Sequence, residues 1–226
     1  MTAITIIDNG TINYRDELVR KLIHLCSLSI PLIYLYFLDQ RTAIFILAAL
    51  SIFAISLDLL RYQSSSVGKV FYKIFGFMLR KHEVDNKKKN LNGATYVLLS
   101  ALLCIIVFPK VIFVTGFIIL IISDTTAALI GRKFGRHKFL FKSFEGTLAF
   151  FISAIIVVLV APKVKGLAVE YYIGFIAAFI GAIVENISFG IADDNLSIPV
   201  SIGVVMYALY YFFLPGVSLA LTQFPK

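Results

Sequence analysis

The sequence predicts an all-α integral membrane protein, a bundle of about seven transmembrane helices with one short basic amphipathic helix at the membrane surface. Of the 226 residues, 59% are hydrophobic and only 15% are charged, whereas a soluble domain is about half apolar and a quarter charged. The apolar residues form runs of about 16–20, long enough to cross a hydrocarbon core about 30 Å thick. Such spans are expected to be helices, because backbone polar groups inside a bilayer need partners within the segment.

The first predicted elements are a polar leader over residues 1–21 and a span over 22–38. Residues 16–21 carry acidic and then basic side chains at helical spacing, so a helix is expected to start there and to run into the membrane. Pro31 predicts a kink in this span, because proline removes a helical hydrogen bond. No cleavable signal peptide is recognised, since no small-residue cleavage site follows the first apolar run.

Six further apolar runs predict the other spans, and the whole chain, residues 1–226, is expected to form one polytopic membrane domain. The predicted bounds of these spans are 42–60, 91–108, 111–130, 147–161, 171–187 and 199–214. Between the second and third spans lies the basic segment 61–90, which holds eight Lys and Arg residues. Its apolar side chains recur at helical spacing over 69–80, which predicts a short basic amphipathic helix on the membrane surface.

Lys and Arg residues are distributed unevenly over a chain whose net charge is +8. If the N-terminus is cytoplasmic, the four cytoplasmic segments hold 16 of the 21 Lys and Arg residues. These segments are 1–21, the basic loops 61–90 and 131–146, and the acidic loop 188–198. Cytoplasmic loops normally carry this excess, so an N-terminus and an active site on the cytoplasmic face are predicted. The positive balance thus indicates membrane orientation and phosphate binding, with no nucleic acid as a partner.

Asp124 is the strongest candidate for a functional residue, because it lies inside the fourth predicted span. A carboxylate within a span is costly and normally faces a partner or a cavity. We interpret it as a ligand of Mg²⁺, which prefers one or two carboxylates together with phosphate oxygens. The structural alternative is an ion pair with Arg132 at the membrane edge. Thr125 and Thr126 could add hydroxyl ligands, although bonding back to helix carbonyls is the expected fate of at least one of them.

The loop that follows, residues 131–146, combines glycine with cations. Two glycines four residues apart let the backbone approach a phosphate closely, and Arg and Lys bind phosphate as a planar fork and as a point charge. The candidate phosphate-binding residues are Gly131, Arg132, Lys133, Gly135, Lys142 and Glu145. An ordinary cation-rich cytoplasmic loop is the alternative interpretation. Ser143 is expected to cap the next helix, while Glu145 is expected to bind a metal or another cation.

The acidic loop ends in Asp193, Asp194 and Asn195. Two carboxylates that face a basic loop across one membrane surface could hold a second metal or act as a base. A turn and helix cap is the alternative for at least one of them. Glu185 and Asn186, at the end of the preceding span, could join this cluster.

Arg20 and Lys21 stand at the start of the first span, and Arg20 shares a helical face with His24. We interpret the two cations as part of a site for the transferred phosphate or the headgroup, whereas a stop signal at the membrane boundary is the alternative. Asp58 and Arg61, three residues apart, predict a mutual ion pair.

Four segments in this order, RKLIH, SDTTAALIGRKFGRHK, KSFEGTLAFF and DDNLSIP, resemble the family of dolichol kinases, phytol kinases and CTP-dependent diacylglycerol kinases, which is related to phosphatidate cytidylyltransferases. The resemblance covers nearly the whole chain, from about Glu17 to Pro199. It implies a multi-pass enzyme that phosphorylates a lipid alcohol using CTP and a divalent metal. The positions that match the family's motifs are Arg20, Lys21, Asp124, Gly131, Asp193, Asp194 and Asn195.

The predicted function is therefore transfer of the terminal phosphate of CTP to the hydroxyl of a membrane lipid alcohol, with Mg²⁺ as the cofactor. Dolichol or another polyprenol, phytol and diacylglycerol are the candidate acceptors, and a homodimer is compatible with the sequence. The candidate catalytic residues are Asp124, Asp194, Lys21 and Arg20, and the candidate metal ligands are Asp124, Asp193 and Asp194. The general base is left open between Asp194 and Glu145.

Two alternative functions use the same features differently. Cytidylyl transfer to a phosphorylated lipid would use the same metal site, but the chain lacks the Lys-Asp and His-Gly-Gly signature of the cytidylyltransferases. A membrane transporter would suit ionisable residues within spans. It predicts charge near the bilayer midplane, however, whereas the acidic residues here cluster at one predicted face.

Overall fold

A long apolar chain in a bilayer has to satisfy its backbone hydrogen bonds internally, and helices achieve this within one segment. The computed structural model of the chain describes residues 13–76, 79, 90–188 and 193–225, and these ranges contain nine α-helices and one two-stranded hairpin. The helices are α1 (Tyr14–Cys26), α2 (Ser29–Tyr36), α3 (Gln40–Gln63), α4 (Ser65–Phe75), α5 (Gly93–Val107), α6 (Lys110–Phe134), α7 (Phe144–Val160), α8 (Ala168–Ile187) and α9 (Asp194–Phe213). The antiparallel hairpin pairs β1 (Lys138–Phe139) with β2 (Lys142–Ser143).

Within the described ranges, seven segments have the apolar character of membrane spans. Five are long enough to cross a bilayer, namely α1 and α2 taken together as Tyr14–Tyr36, and α3, α6, α8 and α9. The other two, α5 and α7, are shorter apolar helices of 15 and 17 residues. The prediction of an all-α membrane protein is therefore confirmed. Most of these helices extend past the predicted apolar runs, because polar residues form their terminal turns.

The first span is interrupted, as the proline predicts. α1 ends at Cys26 and α2 begins at Ser29, so Ser27 and Leu28 form the break. Pro31 is the third residue of α2. Because proline has no N–H and its ring crowds the carbonyl four residues earlier, no regular helical hydrogen bond can join Pro31 to Ser27. The kink therefore lies one turn before the proline.

The amphipathic helix α4 starts earlier than predicted. It begins directly after α3, where the Ser64 side chain accepts a hydrogen bond from the N–H of Val67, and it ends at Phe75. Ser is a favoured N-cap, which explains the early start. Residues 77–78 and 80–89, which include the end of the predicted helix, lie outside the described residues. The exposed side chains of α4 include Val70, Ile74 and Phe75 together with Lys69 and Lys73.

α6 is the central helix of the bundle. It packs against α1, α2, α5, α7 and α9, and its side chains are buried almost without interruption from Lys110 to Ala127. Phe113 and Phe117 stack in this core with ring centroids 5.0 Å apart. The helix continues for about two further turns, so residues 131–134 belong to its end. The predicted basic loop therefore begins four residues too early.

Polar side chains fix the end of the bundle that holds the connections 37–39, 108–109 and 161–167. The Lys110 ammonium donates hydrogen bonds to three backbone carbonyls, those of Tyr34, Leu38 and Pro225, at 3.1, 2.9 and 2.5 Å. The Glu170 carboxylate accepts hydrogen bonds from the backbone N–H groups of Val164, Lys165 and Leu167 and from the hydroxyl of Tyr210. Charged groups at this end therefore satisfy backbone groups of the connections.

The predicted pair of Asp58 and Arg61 is present and lies in the interior. Arg61 Nε is 3.2 Å from Asp58 Oδ1, and both side chains are fully buried. Asp58 also accepts hydrogen bonds from the backbone N–H and the side-chain amide of Asn92 and from the hydroxyl of Thr95. Because Asn92 is the N-cap of α5, this group of residues joins α3 to the start of α5.

Candidate active site

An ion pair between Lys21 of α1 and Asp124 of α6 lies at the centre of the candidate site. Lys21 Nζ donates a hydrogen bond to Asp124 Oδ2, and the two residues are only 2% and 4% exposed. His24, one turn further along α1, places its Nε2 3.7 Å from the same oxygen. A buried charge needs a close partner of opposite sign. Asp124 is therefore partnered by α1, whereas Arg132, the alternative partner from the sequence, places its Nη1 3.6 Å from Glu17 Oε2.

Lys142 of the hairpin forms the second half of the site. Its ammonium lies 2.6 Å from Glu185 Oε1, near the end of α8, and 3.4 Å from Asp194 Oδ2, at the start of α9. Burial alone would lower the pKa of Lys142, but the carboxylates of Asp194 and Glu185 outweigh it and raise that pKa above its ordinary value. The Asp124 carboxylate adds to this rise. Lys142 and the Lys21–Asp124 pair therefore belong to one electrostatic site.

Asn186 fixes the hairpin that carries Lys142. Its Oδ1 accepts hydrogen bonds from the backbone N–H groups of Phe141 and Lys142 at 2.9 and 3.1 Å, and its Nδ2 donates to Thr147 Oγ1 at 2.6 Å. The side chain is completely buried. The prediction that Glu185 and Asn186 join the charged cluster is confirmed, because Glu185 binds the ammonium of Lys142 and Asn186 binds its backbone.

Two arginines share one carboxylate beside this cluster. Arg20 donates a hydrogen bond to Glu17 Oε1 at 2.7 Å, and Arg132 Nη1 lies 3.6 Å from Glu17 Oε2. All three side chains are largely buried. Guanidinium groups are planar forks of N–H donors that match the oxygens of a phosphate. The arrangement places two such forks next to Lys21, which follows Arg20 in α1.

The glycines of the basic segment are used for helix packing. A Cβ atom added at Gly131 would lie 3.0 Å from Ser143 Oγ and 3.3 Å from Gly146 Cα, and one at Gly135 would lie 2.2 Å from the Gly131 carbonyl oxygen. The end of α6 therefore contacts the start of α7 through bare backbone. The predicted N-cap is confirmed here, since Ser143 Oγ accepts a hydrogen bond from the N–H of Gly146 at 3.2 Å. Packing thus accounts for glycine at these two positions, and the phosphate contact predicted for Gly131 and Gly135 stays a prediction.

Glu145 closes the loop between α6 and the hairpin. Its carboxylate accepts hydrogen bonds from the backbone N–H groups of Arg136 and His137 at 3.0 and 3.2 Å, and it lies 2.7 Å from His137 Nδ1. Because these contacts engage both carboxylate oxygens, Glu145 stabilises the loop. The predicted role of Glu145 at a metal, a phosphate or a proton stays a prediction.

Three further predicted residues stand outside the buried cluster. Lys133, predicted to bind phosphate, is exposed on the last turn of α6. The hydroxyls of Thr125 and Thr126 each donate a hydrogen bond at 2.7 Å to a carbonyl four residues earlier in α6. The expectation that at least one threonine bonds back to the helix is confirmed for both.

The adjacent residues Asp193 and Asp194 have different roles. Asp193 caps α9, and its Oδ1 accepts hydrogen bonds from the backbone N–H and the side-chain amide of Asn195 at 2.9 and 2.8 Å. The helix-cap alternative therefore holds for Asp193, whereas Asp194 contacts Lys142. Within the described ranges, no three His, Cys, Asp or Glu side chains converge on a potential metal position. Asp124, Asp193 and Asp194 thus do not form a ready-made metal cage.

Three known proteins are similar to this chain. A protein of Rickettsia prowazekii that carries the description "uncharacterized" is 30% identical over 200 residues, which are 84% of this chain and 93% of that protein. The chain belongs to the same family as that protein. CTP-dependent diacylglycerol kinase 1 of Schizosaccharomyces pombe is 28% identical over 165 residues, 67% of this chain and 74% of the kinase. CTP-dependent diacylglycerol kinase 1 of Saccharomyces cerevisiae is 25% identical over 224 residues, 86% of this chain and 74% of the kinase.

The chain is therefore a distant homologue of CTP-dependent diacylglycerol kinases. No protein-family model and no solved structure matches it. The four motifs that resemble this kinase family are spread over residues 20–199, and each contributes at least one charged side chain to the same site. These side chains are Lys21, Asp124, Lys142 and Asp194.

Sequence reasoning missed Glu17 as a residue of the site. Its spacing of three from Arg20 was the available signal, and that spacing indicates only a contact along one helix. Its proximity to Arg132 depends on how α1 packs on α6, which no local pattern reveals. For the same reason the sequence did not predict that His24, which shares a face of α1 with Arg20, also lies close to Asp124.

Proposed function

We propose that this protein is a CTP-dependent lipid kinase that transfers the terminal phosphate of CTP to the hydroxyl of a membrane lipid. The observation that carries the proposal is the buried cluster in which Lys142 lies between Glu185 and Asp194 and is coupled to the Lys21–Asp124 pair. Homology to two CTP-dependent diacylglycerol kinases supports CTP as the donor. Diacylglycerol is our first candidate acceptor for the same reason, followed by polyprenols such as dolichol and by phytol.

The cations of the site suit a triphosphate. Phosphoryl transfer is accelerated almost entirely by positioning and by neutralising the charge on the phosphate oxygens. Lys21 pairs with Asp124 and Lys142 is under the influence of the same carboxylate, so the site has two compact charges, to which Arg20 and Arg132 add two planar guanidinium groups. We assign the arginine pair to the nucleotide phosphates and the two lysines to the group in transfer. Glu17 then acts as a positioning residue for both guanidinium groups.

The carboxylates of the site fit Mg²⁺, a hard cation that takes one or two carboxylates and completes its shell with water and phosphate oxygens. The Asp194 carboxylate contacts the Lys142 ammonium, and the Asp124 carboxylate helps to raise the pKa of the same group, so both carboxylates belong to one site. We assign Asp124 and Asp194 as the protein ligands, because Asp193 is engaged as a helix cap. When bound, Mg²⁺ would neutralise charge on the phosphate oxygens.

The acceptor hydroxyl has to lose a proton as it attacks. Asp194 is our candidate for the general base, because its contact with Lys142 is the longer of the two that the ammonium makes. Glu145, the other candidate from the sequence, is engaged by the loop that it closes. A base has to reach the hydroxyl directly or through one water, and the start of α9 faces the hairpin at this point.

The site is proposed to lie on the cytoplasmic face. The distribution of 16 of the 21 Lys and Arg residues on the loops of one side supports this orientation.

The proposal is tested with purified protein in mixed micelles, CTP labelled in the γ-phosphate, Mg²⁺ and a panel of diacylglycerol, dolichol, a shorter polyprenol and phytol. We expect label in one of these lipids, and no label when the same CTP carries it in the α-phosphate. Release of labelled pyrophosphate with phosphatidate as the acceptor would instead establish cytidylyl transfer. Folded protein that labels no lipid with CTP or ATP would refute the kinase.

A further inference from the structure

The turn of the β1–β2 hairpin is unusual in its residues. Phe139 pairs with Lys142 across the turn, so Leu140 and Phe141 form a two-residue connection. Leu140 has a φ of +50°, and it is the one non-glycine residue with positive φ in the described part of the chain. Two-residue hairpin turns need a positive φ at the first central position, where Gly, Asn or Asp is usual. A leucine there is sterically disfavoured, and strain that is kept at one position suggests that its side chain has a function.

Both turn side chains point away from the protein. Leu140 is 50% exposed and Phe141 is 52% exposed, although turns normally carry small or polar residues. Phe134 at the end of α6 and Phe144 at the start of α7 are exposed to a similar degree. The hairpin therefore ends in an apolar tip, here defined as Leu140 and Phe141, with one further aromatic residue on each flank.

The apolar tip continues the exposed apolar face of α7. Every fourth residue at the start of this helix is an exposed apolar one, namely Phe144, Leu148, Ile152 and Ile156, and this spacing lines one face of a helix. The ring of Phe139 packs edge-on against that of Phe144 with centroids 6.0 Å apart. The face of an apolar span that other helices leave uncovered is covered by lipid. The hairpin extends that lipid-facing surface beyond the end of the span.

Basic residues surround the apolar tip. Lys133, Arg136 and Lys138 are all exposed around the hairpin. A cationic rim around an apolar centre is the pattern of a segment that lies in the membrane interface, where apolar groups reach the acyl chains and cations contact anionic headgroups. The charge on this rim thus favours an anionic lipid surface as the occupant.

We propose that the apolar tip inserts into the membrane interface and positions Lys142 at the depth of the lipid hydroxyl. The tip is linked closely to Lys142, because Phe141 directly precedes it in the chain. Asn186 Oδ1 also accepts hydrogen bonds from the backbone N–H groups of both residues. The partner of the tip is the lipid bilayer itself. The consequence for turnover rests on the proposed kinase function, whereas the insertion does not.

Insertion is tested by tryptophan fluorescence, which needs no assay of activity. The chain contains no tryptophan, so one can be introduced at a chosen position. Phe141→Trp provides a single tryptophan at the tip in proteoliposomes that contain anionic lipid, and its fluorescence is excited selectively at the red edge, where tyrosine does not absorb. We expect strong quenching by lipids brominated near the headgroup end of the acyl chain and weak quenching by aqueous acrylamide. Phe45→Trp, on the exposed face of α3, is the lipid-facing control, and His137→Trp, at a ring that is 78% exposed, is the control outside the tip.

Each other quenching pattern would overturn the proposal. Quenching of the tip tryptophan by acrylamide alone would place the turn in water. Protection from both quenchers would show that a second copy of the chain covers the tip, because the vesicles contain no other protein.

The kinetic consequence is tested with Leu140→Gly and Leu140→Asn, both of which remove the apolar side chain and suit a positive φ. We expect a rise of about tenfold in KM for lipid presented in vesicles, the effect of withdrawing one leucine from an apolar environment. KM for CTP and kcat should stay unchanged, and Phe141→Leu should behave as the parent protein. A fall in kcat with unchanged lipid KM in the two Leu140 variants would contradict the coupling of the tip to the lipid.

Discussion

Substitutions in the Lys21–Asp124 pair separate its structural role from its role in the reaction. The two side chains are 3% and 5% exposed, so removing one partner leaves the other charge buried and unpaired. We expect Lys21→Met and Asp124→Asn each to lower the free energy of unfolding by about 3–5 kcal/mol. The double variant removes both charges and should recover most of that loss, which corresponds to a coupling energy of about 3 kcal/mol.

Activity should follow a different pattern from stability. If Asp124 and Lys21 hold the metal and the phosphate, the double variant remains inactive although it is stable. We expect its kcat to fall by at least about 10²–10³-fold, the usual loss when one preorganised electrostatic group is removed from an active site. Stability is measured by SDS titration in mixed micelles, and activity by transfer of label from CTP to lipid at matched amounts of folded protein.

The control for this experiment is Glu170→Gln, at the opposite end of the bundle. Glu170 accepts hydrogen bonds from three backbone N–H groups and from Tyr210, so its variant should lose stability while its folded fraction keeps the parent kcat. A double Lys21→Met/Asp124→Asn variant that regains both stability and activity would refute the reasoning, because the pair would then be a structural contact alone. Single variants of unchanged stability would refute the premise that the pair is buried and mutually dependent.

Three further predictions concern other charged side chains, two in the site and one at the opposite end of the bundle. The pKa of Lys142 is raised above its ordinary 10.5, so its ion pairs are fully present below pH 10.5 and are lost only as the pH rises through the raised value. We therefore expect the pH profile of kcat/KM to show no alkaline fall below about pH 10. A fall near pH 9 that Lys142→Arg abolishes would contradict this. Glu185 holds the Lys142 ammonium, so Glu185→Gln should lower kcat about 10-fold to 100-fold. Glu170→Gln on the same helix should leave kcat unchanged, and initial rates of lipid labelling measure both effects. Asp39 caps α3, and the hydrogen bonds that it accepts from Thr42 lower its pKa. Asp39→Ala should therefore reduce thermal stability at pH values above the ordinary pKa of Asp. Thermal melts should show that this difference disappears as the pH falls through the lowered pKa.

The helical bundle was predictable because apolar run length and bilayer thickness constrain each other directly. Contacts within one or two turns were also predictable, such as the Ser143 cap and the Asp58–Arg61 pair, since helical spacing alone brings those groups together. The cap and the ion pair each join residues that are three positions apart in the chain. The sequence therefore predicts contacts well wherever one helix supplies both partners.

The partners of the central carboxylate were not predictable in this way. Lys21 and Asp124 are separated by 103 residues, and their contact depends on the packing of α1 against α6. The end of α6 was mistaken for a loop because glycine and clustered cations are typical of loops, whereas here Gly131 permits close contact with α7. Asp193 and Asp194 are adjacent and chemically identical, so only the start of α9 decides which one is the helix cap.

The position of α6 has a consequence for how the protein can move. Lys110, its first residue, is hydrogen-bonded to carbonyls of three other segments, and near its last turn Gly131 is packed against Gly146. Shifting this helix would break close-packed contacts along its whole length at once. If the proposed nucleotide site closes when it is filled, we expect segments packed around α6 to move against a stationary α6. The speed of that closure, and not a rearrangement of the core, would then set how quickly substrates are enclosed.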